Sequence, residues 1–360
     1  MDEAESRLTE RAHSVPVYGE FDLFVAGGGI AGVAAAISAS RSGLKVFLAE
    51  ENAFLGREVT GGFRIHTRGA EGGWGAEVLE RLSKLNAYRD GCIDAPAMTV
   101  LLDKLIVEAG GIRPMLRAFT HELIVEGNRV RGAVVTSRSG RFAVLAPKVI
   151  DATEEGVLAA SVGAATKPIA PGGPAGDYAF LMSFVGEGDT PAEIEIPEKQ
   201  PHAGARAEVF RTLWPGERLV RFEIEKPAGG KSFGTKAGLE ILGRELAVAF
   251  ASYLRKSVPA FARAAMTASA WCALRRPDRQ FTGRVIESGE EPLCRLMCRD
   301  GSYKAVYASQ LMPPGIEGLT VVSGASDIGA EAAEALLDFA GAAELGEKAG
   351  ALCARHAVTT

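Results

Sequence analysis

Aromatic residues make up only 7% of this 360-residue chain, and cysteines number five: Cys92, Cys272, Cys294, Cys298 and Cys353. An odd, scattered set of cysteines is no disulfide framework, and Cys294-x3-Cys298 has neither the usual redox spacing nor that of half a zinc site. A reducing, cytoplasmic setting and no bound metal are expected. Basic residues are not in excess either. Lys and Arg total 40 against 45 Asp and Glu, a formal charge of −5, which argues against a nucleic-acid partner held by bulk electrostatics. The acidic start, Met1-Asp-Glu-Ala-Glu-Ser-Arg, carries no apolar run, so no signal peptide is expected there. The longest uncharged stretch, Leu23 to Ser40, has the length of a membrane span. The three successive glycines Gly27, Gly28 and Gly29 break it, and a strand, turn and helix account for it better.

What is abundant is glycine, with 43 residues, beside an ordinary 47% of hydrophobic and 24% of charged residues. The chain can build a sizeable core and many close backbone turns. Its length suggests two domains, or one with an insertion. Phe21-Asp-Leu-Phe-Val-Ala26 reads as a buried strand, residues 30–42 as a small-residue helix stopped by Gly43, and Lys45 to Glu50 as a second, parallel strand. Helices are expected at 75–86 and 95–109. Alternating segments at 119–126, 129–137 and 141–147 read as a β-meander, with Gly127-Asn128 and Ser139-Gly140 as turns. Lys148 to Thr153 and Leu319 to Ser323 read as further buried strands, the second followed by a helix from about 329. Between them the character changes. Pro171-Gly-Gly-Pro174 opens a region with an alternating stretch at 219–225 and helices expected at 236–256 and 259–273. The expected organisation is an N-terminal extension at 1–20, an α/β domain at 21–166 and 266–360, and an inserted α+β cap at 167–265.

Gly27-x-Gly29-x-x-Gly32 falls where the first strand turns into the helix. The first glycine allows the tight turn, the second lets backbone approach a pyrophosphate, and the third lets helix pack on strand. The amides of Ile30, Ala31 and Gly32, aided by the helix dipole, suit phosphate oxygens. Glu50 at the end of the next strand suits ribose hydroxyls and repels a 2′-phosphate. Together these point to a dinucleotide with unmodified ribose, FAD or NAD. Gly229-Gly-Lys231-Ser232 imitates a P-loop, but Glu225 stands where its leading glycine belongs.

The stretch from Phe21 to Ile37, with Glu50 and Phe54-Leu-Gly56, resembles the FAD-dependent oxidoreductases of the glutathione-reductase-like fold. Asp151-Ala-Thr153 is similar to their "DATG" strand, Leu274 to Gly283 to their "R-E-S-R-R-I-x-G" segment, and Gly315 to Gly324 to the strand that returns under the flavin. The chain departs from the pattern at Arg57, at Glu154-Glu155, and at Ala325-Ser326-Asp327, where the usual arginine is missing. The resemblance implies a Rossmann-like domain with a parallel sheet, a meander and non-covalent FAD. It implies hydride transfer between a small organic substrate and flavin N5. A flavin-binding subunit acting with a partner, a protein that holds FAD structurally, and an NAD-dependent dehydrogenase remain alternatives. A homo-oligomer is also compatible.

The implied cofactor contacts are Gly27, Gly29, Ile30, Ala31, Gly32, Glu50, Glu51, Gly56, Arg57, Thr60, Gly61, Thr153, Gly324 and Asp327. In the resembling family the segment carrying Arg57, Glu58, Arg64 and His66 runs along the flavin ring. That makes His66 a candidate acid/base and Arg64 a candidate polar contact. Arg276 and Arg279, three apart, could share a face and bind a substrate carboxylate. Tyr303 and Tyr307 are weaker candidates for the same pocket.

Overall fold

The computed structural model describes residues 14–169, 174–225 and 236–355. A five-stranded sheet forms its centre, in the order Leu319–Val321, Val149–Asp151, Leu23–Ala26, Val46–Glu50 and Ile112–Leu116. Every pairing in it is parallel. Leu23–Ala26 and Val46–Glu50 are buried at every position, as a sheet covered on both faces requires. Alternate side chains go to opposite faces. Leu23 and Val25 join the core formed with the helix Ile30–Arg41, while Phe24 and Ala26 join a second core under the meander. The sequence expectation of an α/β fold with a parallel sheet and a meander holds.

The helix Ile30–Arg41 is rich in alanine because another helix lies almost on its backbone. A Cβ at Gly346 or Gly350 of the helix Phe339–Arg355 would come within 2.1 Å of the Ala31 carbonyl oxygen or 2.3 Å of that of Ala35. Larger residues on either helix would push them apart and open the core beside the nucleotide turn.

The meander is Phe119–Glu126, Arg129–Ser137 and Gly140–Leu145, as the alternation predicts. One strand had not been expected. Val17–Glu20, placed by sequence in a surface extension, pairs in parallel with Gly140–Leu145 and covers that edge. The Tyr18 ring packs at 5.5 Å from Phe47 and 5.2 Å from Phe142, which fixes it there.

A second, antiparallel sheet lies beside the first: Glu193–Glu195, Arg206–Arg211, Arg218–Ile224, Gly176–Ser183 and Ala265–Ser269. Leu274–Arg275 also pairs with Gly176–Ser183. The helix Lys236–Ser257 covers one face, with Phe250 against Phe222. One continuous core joins this sheet to the helices of the first. The helix expected at 259–273 does not form. Pro259–Phe261 makes a single 3-10 turn, and Ala265–Ser269 then becomes an edge strand on Gly176–Ser183. The open sheet edge outweighs the helical preference of an alanine-rich segment. The second sheet therefore runs past residue 265. Gly229-Gly-Lys231-Ser232, Pro171 to Gly173 of Pro171-Gly-Gly-Pro174, His13 and His356 lie outside the described residues.

Candidate active site

The turn after Leu23–Ala26 is built by steric necessity. Gly27 has φ +95°, and a Cβ there would lie 2.5 Å from the Ala152 carbonyl oxygen. A Cβ at Gly32 would lie 1.9 Å from the Gly27 carbonyl oxygen. Two of the three glycines are thus demanded by contact with neighbouring backbone. At Gly29 the neighbour is a side chain: a Cβ would meet the Glu58 Oε1 at 2.6 Å. The Ile30 amide donates to the Glu58 Oε2 at 2.8 Å. The helix start therefore already holds an anion. The Ile30 amide, one of the donors the sequence implied for a phosphate, binds a carboxylate oxygen here, so the turn fits the diphosphate of a dinucleotide.

Glu50 sits at the carboxyl end of Val46–Glu50, and 4% of its surface is exposed. One oxygen accepts from the Gly28 amide; the other accepts from the Asn52 amide at 2.7 Å and from its Nδ2 at 2.6 Å. Burial raises its pKa, against the pull of these donors and of Arg57. The carboxylate is held in place beside the turn.

Arg57 is almost wholly buried and bridges Glu154 at 2.8 Å and Glu58 at 3.9 Å. Burial works against its charge, but these two carboxylates outweigh it and raise the pKa further. Arg57, Glu58 and Glu154 line a cavity of about 140 Å³ together with Gly29, Ala31 and Gly324. Glu334 closes its far side.

Other implied contacts are placed differently. Glu51 is exposed. Thr60 donates to the carbonyls of Leu55 (2.6 Å) and Gly56 (3.0 Å), and the Gly61 carbonyl accepts from the Trp271 amide at 2.8 Å, so both brace their loop. Gly56 starts the short helix Arg57–Thr60 with φ +70°. Thr153 bonds Asp151 and caps the next helix by accepting from the Val157 amide at 2.8 Å. Its neighbour Glu154, a departure from the family pattern, reaches Arg57 instead. Asp327 accepts from the Gly283 amide at 2.9 Å and pairs with Lys167, which turns it away from the cavity.

Glu334 also borders a second, larger cavity of about 730 Å³. Arg64, His66, Phe210, Phe222, Met297 and Tyr303 lie on its wall. Tyr307 caps a 3-10 turn instead. Between the two cavities stands a charged cluster. Arg64 pairs with Asp177 and, at 3.1 Å, with Glu334. Arg276 pairs with Asp177 at 2.9 Å, Glu334 at 2.6 Å and Glu223 at 3.0 Å. Burial opposes the charges of Arg276 and Glu334, but their pairing prevails: the Arg276 pKa is raised and that of Glu334 lowered.

Arg279 does not join Arg276. It is exposed on the strand Arg279–Phe281, which pairs with Thr166–Pro168. Three residues apart on a helix share a face; on an extended segment they do not. Asp177, Glu223 and Glu334 were not singled out from sequence. For Asp177 a signal existed, since it is the one acid within the apolar run of Gly176–Ser183, and a buried acid in such a strand needs a partner.

His66 is tied down from one side. Its Nε2 donates to the Arg211 carbonyl at 2.8 Å, and its ring lies 4.9 Å from that of Phe210. Nδ1 is then the bare acceptor, buried and without a protein partner; the Arg64 Nε is likewise buried and unpartnered. Burial, with Arg221 nearby, lowers the His66 pKa below its ordinary 6.5 and keeps the ring neutral. Among the described residues no helix is long and apolar enough to cross a membrane.

Residues 22–174 match the family described as FAD dependent oxidoreductase. No curated protein matches the chain. Its fold is similar to that of the flavin-dependent brominase Bmp2, at 13% identity and a TM-score of 0.57, over 95% of this chain and 80% of that one. It is also similar to a geranylgeranyl bacteriochlorophyll reductase-like protein from Thermoplasma acidophilum, at 14% identity and a TM-score of 0.51, over 95% and 79% of the two chains.

Proposed function

We propose that the chain is an FAD-dependent oxidoreductase that transfers a hydride between the flavin and a small organic substrate seated in the larger cavity, as the family match over residues 22–174 supports. The observation that carries this reading is Glu334, which borders both the cavity beside the nucleotide turn and the larger one. FAD, when bound, supplies the two-electron chemistry. The protein's part is to hold, orient and manage a proton.

The nucleotide turn and Glu50 would hold the adenosine diphosphate half, and Arg57 would lie along its phosphates. His66 lines the larger cavity, and its neutral Nδ1, fixed as an acceptor by the bond from Nε2 to Arg211, is buried beside it and would be reached by a substrate that displaces the side chains covering it. A substrate hydroxyl or amine can donate to it and pass on its proton as the adjoining carbon–hydrogen bond is broken. The buried, unpartnered Arg64 Nε would add one donor for a carbonyl or carboxylate oxygen once a substrate reaches it. Phe210 and Phe222 supply apolar walls that exclude water.

The test is anaerobic single-turnover bleaching with a panel of small alcohols and amines. With a compound that bleaches the wild type, His66→Ala should slow bleaching about 10²–10⁴-fold at unchanged FAD content. The pH profile has a definite sign. Burial lowers the His66 pKa, so the base form persists to below pH 6.5; the rate should be flat above that value and fall on the acid side. A wild-type rate in His66→Ala would remove the residue from the reaction. A yellow protein that nothing in the panel bleaches would point to a flavin subunit that works with a partner.

A further inference from the structure

The anion position at the nucleotide turn is filled by the chain itself. Glu58 follows Arg57 on a helix of four residues, and its carboxylate lies against the α-carbon of Gly29 while accepting from the Ile30 amide. Gly29 is the residue whose missing side chain lets a pyrophosphate approach, so carboxylate and phosphate would compete for one space. They would also compete for the same cations and dipoles. Arg57 already faces Glu58 at 3.9 Å, and the amino-terminal end of Ile30–Arg41 offers it a partial positive charge. The adjoining cavity, about 140 Å³, is below the roughly 300–1,000 Å³ of ordinary ligand pockets. Seating the cofactor therefore requires side chains to leave, and Glu58 stands nearest the phosphates.

We infer that Glu58 is an internal stand-in for the cofactor's diphosphate, a plug that must swing out before FAD can load and that sets how tightly it binds. The inference rests on the FAD reading of the turn. On loading, Glu58 gives up the Ile30 amide and its pairing with Arg57, and the diphosphate takes both. Arg57 keeps Glu154 throughout, so the guanidinium is never left without a carboxylate. Before loading, the plug protects the fold, because it satisfies a helix start that would otherwise be bare.

The test uses the full chain freed of bound flavin, titrated calorimetrically with ADP and with adenosine. ADP should bind Glu58→Ala about 10-fold more tightly than the wild type, the scale of one anion at a partly buried helix start. Glu58→Gln, which keeps the shape and loses the charge, should fall between and guards against a folding defect in the alanine variant. Adenosine, with no phosphate, should bind all three alike. Without nucleotide, Glu58→Ala should melt below the wild type. Equal ADP affinities would overturn the plug while leaving the phosphate turn in place. Weaker ADP binding by Glu58→Ala would overturn it too, by showing that Glu58 holds the nucleotide. If ADP binds none of the three folded proteins, the plug and the FAD reading of the turn both fall.

Discussion

The nucleotide turn and the charged cluster at Arg276 both hold carboxylates in a buried place, by opposite means. At the turn the binding groups are backbone amides, fixed by glycines within one strand-turn-helix unit, and Glu58 is an added guest. In the cluster every group is a side chain. Arg64, Asp177, Arg276 and Glu334 come from four separate segments, and each charge depends on the others. A backbone site survives the loss of any one side chain that visits it; a side-chain site does not. That difference also suits the roles proposed for them: one to accept a cofactor that enters, the other to keep its shape beside a cavity.

The sharpest break is Gly29→Val. The added side chain would fill the space that Glu58 now shares with the expected diphosphate, so FAD binding should be abolished while most of the fold persists. Flavin absorbance after gel filtration, with circular dichroism for the fold, decides it; retained flavin would place the phosphates elsewhere. Next comes Arg276→Ala. It leaves Asp177, only 4% exposed as a whole side chain, and Glu334 sharing Arg64 alone. Loss of a partner from such a cluster should cost about 3 kcal/mol of stability, read as a lower denaturation midpoint at unchanged slope. A midpoint equal to the wild type would show the cluster to be held by packing. The smallest effect belongs to Arg279→Ala. The exposed side chain should matter by less than about 0.5 kcal/mol and leave bleaching unchanged. A loss as large as that of Arg276→Ala would restore the paired-arginine reading.

The failure over Arg279 shows where sequence reading loses its grip. Spacing of three carries meaning only once the secondary structure is known, and Leu274 to Phe281 is two short strands joined by a bend rather than a helix. The same holds for the alanine-rich stretch after Pro259, whose strand exists because Gly176–Ser183 offers it an edge. Asp327 looked like a cofactor ligand by its place after the returning strand, yet the Gly283 amide and Lys167 claim it. His66 could be named from the segment it occupies. Its tautomer and its bare Nδ1 could not, since they depend on a carbonyl at Arg211, far along the chain.

By itself the sequence determined four strands of the parallel core, the meander, the glycine turn and Glu50; the fifth strand, Ile112–Leu116, was not legible in it. All of these rest on local rules: alternation, helix stops, and the steric room that only glycine leaves. The tertiary structure decided which charges meet. It set Glu58 on the Ile30 amide, Arg57 between Glu58 and Glu154, and the arginines Arg64 and Arg276 on Asp177 and Glu334. Partners of a buried charge are chosen by distance and desolvation across the folded molecule, and no local pattern along the chain encodes either.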